Sequence, residues 1–233
     1  MPRPSIKFGA KFVSSKFDEP LNEQVYQRLK WSLIVGDHAP HDAISIRSVA
    51  SAFGTSTMPV REALKRLVSE RALTSSGNRS FRVNQLAPKR IADLFFVRSS
   101  LEGIATELAT PLLTSGQIER LEELAIQMDE FIDHEDFGQY LSGNYSFHFL
   151  IYAAAKNSEL VSIIESLWAQ TGPFLAAGVR QTGMTPDWRQ MHSRIAGAIR
   201  VRDGAMARTL IEQDINWGTG VFGDLAATDI PWT

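Results

Sequence analysis

The sequence predicts a mainly α-helical protein in two parts: a short helical unit ending in a β-hairpin, then a longer all-helical bundle. Three observations predict it. Residues 19–86 read in the order helix, helix, tight turn, helix, hairpin. From Lys89 onward the apolar residues keep helical spacing and no strand pattern appears. The charge also changes sign between the parts: residues 1–86 hold 13 Lys and Arg against 7 Asp and Glu, and residues 87–233 hold 11 against 19.

Residues 1–18 mix Pro, Ser, Lys and Phe without periodicity and read as a flexible arm. In LNEQVYQRLKWSLIVG, Val25, Leu29, Leu33 and either Ile34 or Val35 recur at helical spacing, and Gly36 ends the run. GDHAPHDA reads as a loop. ISIRSVASAF gives a short helix capped by Ser45, with Val49, Ala50 and Phe53 inward. Gly54-Thr55-Ser56 makes the turn. The next helix buries Val60, Ala63, Leu64, Leu67 and Val68, and tolerates Pro59 because its first turn lacks helical partners for N–H groups. ALTSSGNRSFRV reads as two strands around Gly77-Asn78-Arg79. That order is a winged helix-turn-helix, which Pro88 closes. Six helices follow, at about 89–110, 115–135, 137–155, 158–180, 187–202 and 204–221. The expected division is an arm (1–18), a winged helix-turn-helix (19–86), an all-helical domain (87–225) and a tail (226–233).

The chain has 233 residues and no cysteine, which excludes disulfides, thiolate metal clusters and thiol nucleophiles and fits a cytoplasmic protein. Neither a signal peptide nor a membrane-spanning run is apparent. A basic front on an acidic remainder points to a polyanion-binding module joined to a different domain.

A recognition helix presents its N-terminal residues to base edges, while nearby cations hold phosphates. Ser56 and Thr57 stand at that tip, and Arg61 lies a turn further on. Arg47 begins the preceding helix, and Arg79 sits at the hairpin tip. Each arginine alone also reads as a solvated surface charge; their convergence on one face of this motif favours DNA.

In the bundle, Asn144 and His148 are four residues apart and share a helix face. His192 and Asp214 stand on two later helices, and an antiparallel pair could bring both inside, as metal sites in helical bundles require. Taken singly, each histidine reads more readily as an ordinary imidazole with one hydrogen bond than as a metal ligand, Asn144 as a surface or capping amide and Asp214 as a surface carboxylate.

SIRSVASAFGTSTMPVREALKRLVSERALTSSGNRSFRV resembles the N-terminal domain of the GntR family of bacterial transcriptional regulators, over about forty residues. The resemblance implies that Arg47, Ser56 and Arg61 touch operator DNA. Thr57 stands where an arginine often reads a guanine, and Met58 where threonine is usual. Arg98-x-x-x-Glu102, NYSFHFLIYAAAKN and HSRIAGAIRVRDGAMARTLIEQDI resemble the FCD effector domain of the FadR-type branch, in its six-helix, VanR-like form.

There an Asp, a His four residues later and two further histidines often bind a divalent metal such as Zn or Ni. Those positions fall here on Asn144, His148, His192 and Asp214. One carboxylate remains, moved from first place to last, so the summed charge of the set is unchanged but an imidazole is lost, which weakens metal affinity. Arg98 matches a pocket-facing arginine that clamps the carboxylate of a small organic acid, with Asn144 beside it; pairing with Glu102 is the structural alternative.

The resemblance implies a homodimeric, effector-responsive repressor of operator DNA and no enzyme. Two imidazoles and a carboxylate are also the ligand set of metal-dependent oxygenases, so an enzyme built on His148, His192 and Asp214 is the alternative. A third is a purely structural bundle.

Overall fold

The structure, a computed structural model, describes residues 20–76, 80–182 and 190–227. The expected arm, the turn Gly77-Asn78-Arg79, the expected helix start at residue 187 and the last six residues lie outside the described residues. Contacts divide the chain into two compact units: the chain up to Gln85 with Trp168–Phe174, and Leu86–Leu167 with the segment from Leu175.

The first unit contains α1 (Leu21–Ile34), β1 (Ala43–Ile44), α2 (Ile46–Ala52), α3 (Thr57–Ser69), β2 (Leu73–Ser76) and β3 (Ser80–Val83). It is a winged helix-turn-helix. Val25, Leu29 and Leu33 on α1 and Val60, Leu64 and Leu67 on α3 are each at most 1% exposed, and α1 packs on α3. Each such side chain contributes roughly 1.5–3 kcal/mol of burial energy. Ser45 caps α2 by accepting a hydrogen bond from the Ser48 backbone N–H. Gly36 and Gly54 carry positive φ angles (68° and 60°) where α1 and α2 end, the left-handed geometry that glycine adopts without strain.

The hairpin carries a third strand that sequence periodicity does not announce. β1 pairs antiparallel with β3, Ala43 opposite Arg82 and Ile44 opposite Phe81, so the sheet order is β1-β3-β2. Ala43 and Ile44, expected in loop and helix, are therefore strand; two residues are too few to show an alternation. Phe53 and Val68 are half-buried rather than inward. Phe53 forms a shelf for the Arg28 guanidinium, 5.4 Å from its ring centre. Tyr26, on α1, is buried beneath the Arg66 guanidinium (3.6 Å) and donates to Glu70 Oε1 (2.6 Å). That contact ties α1 to the end of α3.

The second unit is all helix: α4 (Pro88–Ala109), α5 (Ser115–Asp133), α6 (Phe137–Ala154), α7 (Ser158–Thr182, apart from Trp168–Phe174, which group with the first unit), α8 (Met191–Arg200) and α9 (Gly204–Ala227). Thr114 and Gln117 form a capping box at α5, and Asp136 caps α6 through the Gln139 N–H. α4 packs along α9 and against α6, and α5 packs on α6 and α8. α9 continues six residues past the expected end at residue 221, through Gly223 to Ala227. Among the described residues no helix is long and apolar enough to cross a membrane.

Candidate functional site

In the first unit the turn Gly54-Thr55-Ser56 sets α3 after α2. Ser56 has extended backbone geometry at the N-cap but makes no side-chain capping bond. Its hydroxyl and the N–H groups of Thr57 and Met58 are thus left at an exposed helix tip, where an anion is favoured. Ser56, Thr57 and Arg47 are exposed, and Met58 projects with 65% of its surface in solvent. Arg61 lies half-buried on α3. Arg79 lies outside the described residues.

In the second unit four distant residues meet. Asn144 and His148 lie on one face of α6, His192 is in the first turn of α8 and Asp214 lies on α9; all four are buried. One donor atom each from His148, His192 and Asp214 lie within 4.8 Å of one another. His148 Nε2 is 3.3 Å from Asp214 Oδ2, and His192 Nε2 donates to Asn144 Oδ1 at 3.0 Å. Asn144 therefore joins the cluster by orienting His192.

Burial dominates the titration of His192 and pushes it down to about 4 despite the nearby Asp214 carboxylate, so the ring is neutral at pH 7 and keeps one lone pair. Burial raises Asp214, but His192, His148 and Arg98 outweigh it and hold the carboxyl below the usual range. Asp214 is thus ionised, yet its Oδ1 is buried without a hydrogen-bond partner. A buried carboxylate oxygen left unmatched beside two imidazoles is what a cation would satisfy, so these residues fit a divalent metal.

Arg98, on α4, donates from Nε to Glu102 Oε1 at 2.7 Å, with both side chains almost fully buried. Its charge is felt at Asp214, so it lies beside the cluster as well as pairing within its own helix. Glu102 also receives the Tyr152 hydroxyl at 2.6 Å, and that hydroxyl contacts His148 Nδ1 at 2.9 Å. Burial, then the Glu102 charge, push the Tyr152 phenol well above its ordinary value, so it stays protonated. The sequence reading overlooks Tyr152. The signal was present: it follows His148 by four residues, as His148 follows Asn144.

Two family descriptions match the chain: "Bacterial regulatory proteins, gntR family" over residues 21–83, and "FCD domain" over residues 93–216. The chain is 32% identical over 155 residues to the HTH-type transcriptional regulator McbR of Escherichia coli strain K12, covering 66% of this chain and 70% of that protein. To the HTH-type transcriptional repressor GlaR of the same organism it is 24% identical over 203 residues, 82% of this chain and 90% of the relative. The solved structure of E. coli McbR/YncC superposes with a TM-score of 0.81 at 26% identity, over 89% of this chain and 99% of that one. These relatives are regulators of transcription, which removes the enzyme alternative. The chain belongs to the gntR family of bacterial regulatory proteins, as a transcriptional regulator whose helix-turn-helix precedes an FCD domain.

Proposed function

We propose that this regulator is a cytoplasmic repressor that binds operator DNA as a homodimer and releases it when a small organic acid enters the helical domain, residues 87–225. Arg47, Ser56, Thr57, Arg61 and Arg79 contact the operator. His148, His192 and Asp214 hold a divalent metal, with Asn144 orienting His192, and Arg98 takes the effector's carboxylate. When bound, the metal supplies open positions for an anionic oxygen. The guanidinium beside it adds a second, directional anchor. Repression is the role that GlaR's name states for GlaR, and this proposal extends it here.

The observation that carries the reading is the meeting of His148, His192 and Asp214 inside the bundle, with one Asp214 oxygen unmatched and Arg98 close by. An effector acts by binding one arrangement of the dimer better than the other; going from 1:99 to 99:1 takes about 10⁴-fold preference. A dimer is needed because two half-sites supply the surface that one helix-turn-helix lacks. One side of α4 offers the surface, leaving Phe96, Val97, Ile104 and Leu108 exposed.

The test is a thermal-shift screen of small carboxylates with and without Zn²⁺ or Ni²⁺, followed by operator gel shifts. A carboxylate that stabilises the protein only with metal, and releases the operator, is the expected result. His148→Ala should retain operator binding and lose the response to that acid. A variant that responds normally refutes the site.

A further inference from the structure

We infer that Tyr152 is a positioning residue for the buried cluster: with Glu102 behind it, it fixes His148 as the Nδ1–H tautomer and keeps the Nε2 lone pair turned to Asp214. The inference rests on reading His148, His192 and Asp214 as a cation site.

The proton count makes the assignment. The Tyr152 phenol has one proton, and Glu102 Oε2, 2.6 Å away, can only accept it. The second contact of the phenol oxygen, 2.9 Å to His148 Nδ1, must then be accepted by the phenol, so Nδ1 bears the hydrogen. Glu102 cannot swing away, because its other oxygen receives Arg98 Nε at 2.7 Å and the carboxylate is fully buried. Every member stands on a helix: Arg98 and Glu102 one turn apart on α4, His148 and Tyr152 one turn apart on α6. The packing of α4 on α6 thus sets the relay, and no loop is involved.

The consequence appears at the far nitrogen. His148 Nε2 is 3.3 Å from Asp214 Oδ2. Were the proton on Nε2, imidazole and carboxylate would satisfy each other as a closed hydrogen bond, and the imidazole would offer a cation no lone pair. With the proton held at Nδ1, a lone pair and a carboxylate oxygen face one point together. Tyr152 holds one proton at Nδ1, so Nε2 can take a proton only as an imidazolium paired with Asp214, and a histidine whose other N–H is anchored is also the more basic ligand.

The test uses the full-length, metal-free protein at pH 7.5, labelled with ¹⁵N-histidine. Long-range ¹H–¹⁵N spectra read the His148 tautomer, and Zn²⁺ titration calorimetry reads affinity, for wild type and Tyr152→Phe. Wild type should show Nδ1–H. Tyr152→Phe should populate Nε2–H and bind Zn²⁺ about 10–100-fold more weakly, with its circular dichroism unchanged. A proton on Nε2 in wild type overturns the inference, as does a variant with wild-type tautomer or with wild-type Zn²⁺ affinity. Wild type that binds no Zn²⁺ sinks the cation reading, and the tautomer still judges the relay. Should Tyr152→Phe fail to fold, the wild-type tautomer alone decides.

Discussion

Arg61 stands a turn inside α3, behind an exposed Ser56-Thr57-Met58 tip. If it reads a base edge, Arg61→Ala lowers operator affinity by about 1–3 kcal/mol, measured by fluorescence anisotropy at fixed salt. Wild-type affinity would remove it from the interface. His192 makes a separate prediction for the metal-free protein. Its folded pKa is near 4 against an ordinary 6.5. Between those values the unfolded chain binds a proton that the folded chain refuses. Stability from this residue is therefore intact above pH 6.5 and falls as pH drops toward 4, by at most about 1.4 kcal/mol per pH unit. Urea midpoints across that range should slope less in His192→Gln than in wild type. Equal slopes would mean that His192 titrates normally.

At the scale of elements, the sequence made the helices legible because their apolar residues repeat every three to four positions, and the Ser45 cap because serine before such a run has a defined role. Several helix ends were hidden. Arg71, Glu135, Lys156 and Arg202 adopt positive φ between 52° and 60°, where glycine is the usual signal and none occurs. Glu135 is exposed after α5, so Glu135→Gly should relieve the left-handed cost and stabilise the protein by about 0.5–1 kcal/mol, read as a raised Tm. An unchanged or lower Tm would show no strain there. In the candidate site, the spacing of Asn144 and His148 marked one helix face. What placed His192, Asp214 and Glu102 against that face was packing among α4, α6, α8 and α9, which no local pattern encodes. Tyr152 fell between these cases: its spacing was visible, its partner Glu102 was fifty residues away.

At the scale of the molecule, a basic helix-turn-helix unit precedes an acidic helical FCD domain, and the proposed function assigns DNA to the first and ligand sensing to the second. The exposed apolar side of α4 belongs at this scale, since Phe96 leaves 70% of its surface in water. Phe96→Glu should shift the protein toward monomer in light scattering and weaken operator binding more than tenfold, without lowering Tm. A variant that remains dimeric places the interface elsewhere. The projecting tip of α3 carries a consequence of a different kind. Met58 holds a thioether out in solvent at the point proposed to meet DNA. Peroxide can reach that sulfur directly and turn an apolar contact into a polar, chiral sulfoxide, a change that methionine sulfoxide reductases reverse. In a chain without a single cysteine, the redox chemistry open to the reading helix is therefore that of methionine.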